Sequence, residues 1–198
     1  MSRRAQGFGL AAAALAFIVS AMSLLYLTAP PGAHGFEEQR AVYGENGIWL
    51  LTHIVFGAVA LTAGASQFVI LALRAPGVFH RWAGTVYAVS VMFAAPAGFR
   101  LAFLAYGGAG NVAAFALLAM LWLTTTFEGV RWARRGDIAR HRLWIVRSYA
   151  LTFAAVTLRI ETGLFLAFGA AFTDAYRISA WTCWVLNLLF AEWVLLKK

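Results

Sequence analysis

One cysteine, four prolines and eight acidic residues are spread over 198 positions, and charged residues of both signs make up only 12% of the chain. The single cysteine, Cys183, excludes an intrachain disulfide and any paired-cysteine metal motif. It lies within an apolar run, where cysteine acts as a small buried hydrophobe. So little charge excludes a soluble globule, a disordered chain and a disulfide scaffold. No Walker loop, dinucleotide fingerprint, nucleophile elbow or His-Glu-x-x-His motif occurs, so the chemistry that those motifs carry has no support.

What is present is apolar: 62% of the residues are hydrophobic. A spanning helix uses about 20 apolar residues, so the composition predicts an all-α, polytopic membrane protein with six transmembrane helices. The lipid bilayer is its first partner. The expected spans are about 7–28, 46–73, 81–105, 112–132, 138–168 and 176–196, within a single integral membrane domain over 1–198. The apolar stretch after Arg3 and Arg4 is longer than the 7–15 residues of a signal peptide, and is read as a retained first span. Turn chemistry marks the breaks: Pro30-Pro31-Gly32, Pro76-Gly77, the glycines around Gly108, and Gly136 before Asp137. Asp137 is placed to cap the fifth helix.

A net charge of +8 in a soluble protein would suggest nucleic acid, but here the basic residues sit between apolar runs. With both termini cytoplasmic, the inner segments hold Arg3, Arg4, Arg74, Arg81, Arg131, Arg134, Arg135, Arg140, Arg142, Lys197 and Lys198. The outer segments hold only Arg40 and Arg177. This asymmetry predicts a multi-pass membrane protein with its N- and C-termini cytoplasmic, and no nucleic-acid partner.

Ionisable groups inside a membrane are costly, so each is a candidate for function. His53 begins a line of small residues: Gly57, Ala60, Gly64 and Gln67 follow at offsets that keep all five within about 40° on one helix face. Such a stripe suits either a flat ligand or a close helix–helix contact, and the close contact is the commoner use. His80 and His141 each open a helix at the inner face and share one depth, as a bis-histidine haem requires. Arg81 and Arg142 follow them, suited to haem propionates or lipid phosphates. Interfacial anchoring explains the same His-Arg pattern. His34 completes the four histidines that two such haems would need, although it lies in a loop.

Arg159 stands five helical turns after His141, on the same face. Arg100 reaches a comparable depth, and the pair suits a carboxylate, phosphate or quinone oxygen. Glu161 lies about 200° around the helix from Arg159 and is not its same-face partner. Glu128 and Glu192 fit ion pairs with Arg131, Arg147 or the basic connector. Asn187 fits a hydrogen bond between helices. The hydroxyls of Thr124, Thr125 and Thr126 can return to their own helix backbone, so they receive no role.

The segment from Phe79-His80-Arg81-Trp82 to Tyr87 echoes the one from His141-Arg142-Leu143-Trp144 to Tyr149. Together with Leu158-Arg159 and Trp184-Val185-Leu186-Asn187, these segments resemble a family of bacterial membrane proteins known as domain of unknown function 2306. The resemblance covers roughly residues 50–193 and implies a polytopic protein of the bacterial inner membrane, without specifying a reaction. A remoter likeness to four-helix di-haem cytochromes of the b type rests only on histidines near the ends of apolar helices.

Three function classes fit these residues. The first is a redox protein holding haem b, or meeting a quinone, through His53, His80 and His141 with Arg81, Arg100, Arg142 and Arg159. The second is a small-solute transporter that takes an anionic ligand on Arg100, Arg159 and Glu161. The third is a structural or accessory subunit whose polar residues only join helices.

Overall fold

The computed structural model describes residues 3–28, 44–73, 75 and 77–196. His34, Arg40, Arg74, Lys197 and Lys198 lie outside the described residues. The fold is, among the described residues, an all-α bundle of six rods: α1 (Arg3–Leu24), α2 (Gly47–Ala72), α3 (Gly77–Ala102), α4 (Ala109–Arg134), the pair α5 (Ile138–Thr152) and α6 (Ala154–Ala167), and α7 (Phe172–Phe190). Among the described residues there is no strand. Four rods among the described residues are long and apolar enough to cross a membrane, Gly47–Leu71, Gly77–Ala102, Ala109–Arg134 and Ile138–Ala167, while Gly9–Leu24 is a shorter apolar helix.

The described rods begin and end close to the expected spans, while Pro30-Pro31-Gly32 and Pro76 lie outside the described residues. α3 starts at Gly77 rather than 81, and α7 at Phe172 rather than 176. Each gains a first turn, residues 77–80 in α3 and 172–175 in α7, that charge counting had assigned to a connector. α5 and α6 are halves of one rod, joined at Phe153, whose backbone stays near-helical at φ −67°, ψ −12°. Asp137 caps this rod as expected, its carboxylate accepting the Arg140 amide at 2.9 Å. A π turn over Ala191–Leu195 extends α7.

Chain neighbours pack on one another from α1 through α5, and the α5–α6 rod is the hub, touching α1, α2, α4 and α7. Alanine makes this closeness possible. Ala60, Ala63, Ala94, Ala95 and Ala154 are buried around Tyr87, Trp122 and Trp184, and a second cluster joins Ala13, Ala16 and Ala65 to Val156. Small side chains let helices approach where lipid supplies no hydrophobic drive. We call the end where α3 and α5 begin the inner end, after the orientation expected from the charges, and the opposite end the outer.

Candidate functional site

At the inner end, His80 is the fourth residue of α3 and His141 the fourth of α5. The two imidazoles are close enough to interact electrostatically. His141 Nδ1 lies 2.8 Å from the Gly129 carbonyl of α4. A carbonyl oxygen only accepts, so Nδ1 carries the hydrogen and the ring's lone pair is on Nε2. His80 is placed differently. Its carbonyl accepts from Gln67 Nε2 at 3.2 Å, while its own Nδ1 and Gln67 Oε1 are both buried with no hydrogen-bond partner among the described residues. Arg81 and Arg142 lie on the exposed surface beside these histidines.

At the outer end, His53 Nδ1 lies 2.9 Å from the Ala94 carbonyl of α3, so here too the lone pair belongs to Nε2. The ring rests against Gly98, where an added Cβ would come within 2.8 Å of it. Arg159 stands within electrostatic reach of His53, donating to the Ala155 carbonyl at 2.7 Å and to Ser23 Oγ of α1 at 3.1 Å. Glu161 turns to the other side of α6 and accepts from Thr182 of α7 at 2.6 Å. Arg159 and Glu161 therefore face different neighbours. Arg100 is exposed in the last turn of α3. The 14 residues from His53 to Gln67 set the two ends about 21 Å apart along α2.

The small-residue stripe of α2 runs between them as a helix–helix seam. Gly64 lies under the ring of Tyr149 and beside Tyr87, whereas nothing comes within 4 Å of a Cβ built at Gly57. Tyr149 donates to the Leu61 carbonyl at 3.3 Å.

Midway between the ends lies a feature that the sequence reading missed. The Tyr87 hydroxyl is 2.5 Å from Ser148 Oγ and 2.8 Å from Thr152 Oγ1, and Thr126 Oγ1 is 2.6 Å from Ser148 Oγ. Trp122 Nε1 donates to Thr152 Oγ1 at 2.8 Å. All five side chains are buried. One hydrogen per hydroxyl is enough to close the network: Thr152 donates to Tyr87, Tyr87 to Ser148, Ser148 to Thr126, and Thr126 to the Trp122 carbonyl at 2.7 Å. The available signal was spacing, because Tyr87 follows His80 by seven residues and Ser148 follows His141 by seven. Seven residues are almost two full turns.

The anticipated ion pairs and the Asn187 bridge form, while Asn111 Oδ1, Thr162 Oγ1, Ser179 Oγ and Trp184 Nε1 are buried without a partner among the described residues. Glu128 accepts from Arg131 at 2.8 Å. Glu192 holds Arg147 through both carboxylate oxygens, and the guanidinium lies 5.0 Å over Trp144. Asn187 bridges helices, donating to the Ala150 carbonyl and accepting from Thr157, both at 3.1 Å. Cys183 is buried. Among the described residues no three His, Cys, Asp or Glu side chains converge as a metal-ion site needs.

No curated protein and no solved structure matches the chain. A family model described as predicted membrane protein, DUF2306, matches residues 50–195. That span takes in both His-Arg segments, the Tyr87 network and the Arg147–Glu192 pair, and on this match the chain belongs to the DUF2306 family of membrane proteins.

Proposed function

We propose that this membrane protein is a redox protein of the bacterial inner membrane that holds haem b through its histidines. His80 and His141 are the inner ligands, and His53 contributes to an outer site. The observation that carries the reading is the fixing of imidazoles by backbone carbonyls: His141 on Gly129 and His53 on Ala94. A metal-ligating histidine is held in this way, its Nδ1–H given to a carbonyl so that Nε2 is oriented and made more basic. The donor set fits, since a bis-histidine haem needs two imidazoles at one depth. The buried, unsatisfied His80 Nδ1 and Gln67 Oε1 fit as well, because polar atoms without partners mark a place that a ligand or water can complete.

Bound haem would supply one-electron chemistry. The chain's own part is to orient and to neutralise. Arg81 and Arg142 suit the macrocycle's carboxylates, and Arg159 beside His53 suits a quinone oxygen or small anion at the outer end. The satisfied centre favours a second reading, a packing subunit without redox chemistry. An absorption spectrum of protein purified from cells supplied with haem separates the two. A Soret band with α and β bands on reduction is expected. A colourless, folded preparation overturns the redox reading.

A further inference from the structure

The inner end of α4 carries a surface that neither the haem reading nor the transport reading uses. Phe127, Val130, Arg131 and Arg134 recur at helical spacing on one face, and with Arg135 they line a furrow of about 270 Å³. Its apolar part is open: Phe127 is 61% exposed. Its cationic part is concentrated by Trp132, around whose ring the guanidinium carbons of Arg131, Arg135 and Arg140 lie at 5.3, 5.2 and 4.2 Å. Bringing like charges together is unfavourable unless anions answer them. Glu128 answers Arg131 at 2.8 Å, and Asp137 answers Arg140 at 3.4 Å. Among the described residues no carboxylate pairs with Arg134 or Arg135.

We propose that this furrow binds an anionic phospholipid, with the phosphate on Arg134 and Arg135 and an acyl chain along Phe127 and Val130. Charge complementarity identifies the head, because guanidinium groups recognise phosphate oxygens in pairs. The order of residues along the helix identifies the tail, since the apolar floor lies on the hydrocarbon side of the arginines. A soluble polyanion would leave Phe127 and Val130 unused, and a zwitterionic lipid would leave the excess charge unanswered. Basic pockets at the inner surface of membrane helices take acidic headgroups by this logic. The proposal stands whether or not the protein holds haem.

Native mass spectrometry of the delipidated full chain, offered equal phosphatidylglycerol and phosphatidylcholine, tests it. Retention of phosphatidylglycerol is expected to exceed that of phosphatidylcholine on the order of tenfold. The Arg134→Gln/Arg135→Gln variant is expected to lose that preference. Both side chains are exposed, so the fold does not depend on them. Lys197→Gln/Lys198→Gln removes the same charge elsewhere and is expected to keep the preference. Equal retention of the two lipids, an unchanged arginine variant, or an equal loss in the lysine variant overturns the proposal, the last by showing only a general surface potential. Displacement of the lipid by an equal concentration of glycerol phosphate overturns the lipid as occupant and leaves a simple anion site.

Discussion

Tyr87 and His80 lie two turns apart on α3, and the polar atoms around them are treated in opposite ways. At Tyr87, five buried side chains from three helices exchange hydrogens until none is left over. At His80, the ring nitrogen and the neighbouring Gln67 oxygen are also buried and have no such partner among the described residues. An unsatisfied buried polar group costs about 1–3 kcal/mol, more than a typical hydrogen bond returns. The centre is therefore complete interhelical glue, whereas the inner end holds two buried polar atoms without a partner among the described residues, which is what the proposed ligand site requires. Residue type does not separate them, since hydroxyls, amides and imidazoles are all common in helix seams. Satisfaction does.

Breaking the centre is expected to give the largest effect. At Gly64 a methyl group would fall on the Tyr149 ring. That ring is held by Phe68, Tyr87 and Phe153 at centroid distances of 5.5, 6.3 and 6.4 Å. Gly64→Ala should destabilise by about 2–3 kcal/mol, read as a lower thermal midpoint of the purified protein. Gly57→Ala on the same stripe meets open space and should change stability by less than about 0.5 kcal/mol. Tyr87→Phe comes next. It removes the hydroxyl between Ser148 and Thr152 but leaves the Trp122–Thr152 and Thr126–Ser148 bonds, so about 1 kcal/mol is expected in the same measurement. If Tyr87→Phe proves neutral, the contrast between centre and inner end loses its energetic basis. The smallest change in stability is expected for His80→Leu, which trades a buried polar atom without a partner for an apolar one. The variant should be as stable as the parent or slightly more so, while any haem spectrum is lost. A strongly destabilised His80→Leu would show that the imidazole already has a structural role.

The sequence displays the six rods and their breaks because charge and Gly/Pro chemistry act locally, residue by residue. It also displays pairings within a few residues or between evident partners. Asp137 caps its helix, Glu128 takes Arg131, and Asn187 bridges. The centre is hidden because it is a meeting of three helices, and periodicity on one helix does not say which face of another it meets. Thr126 shows the limit well. Its hydroxyl returns to the Trp122 carbonyl at 2.7 Å, as the threonine run suggests, yet its oxygen also meets Ser148. The stripe on α2 is legible as a line of small residues, but its occupant at Gly64 comes from Tyr149, 85 positions further on. Hidden as well is the inner contrast, because burial without a partner becomes visible only once every neighbour is in place.

The α4–α5 turn bears on the order in which the protein assembles. Gly136 takes φ +75°, a left-handed conformation that a side chain would oppose, and it ends α4 just before Asp137 starts α5. Across this turn, Arg140 stacks on Trp132, Ile145 fits against Gly129, and His141 reaches the Gly129 carbonyl over only 12 positions. The Tyr87 bonds close loops of 61 and 65 positions. Short loops close at less entropic cost and sooner. The α4–α5 hairpin thus sets its own imidazole and two of the central bonds over short loops, and Tyr87, whose bonds span the longer loops, is expected to join them last.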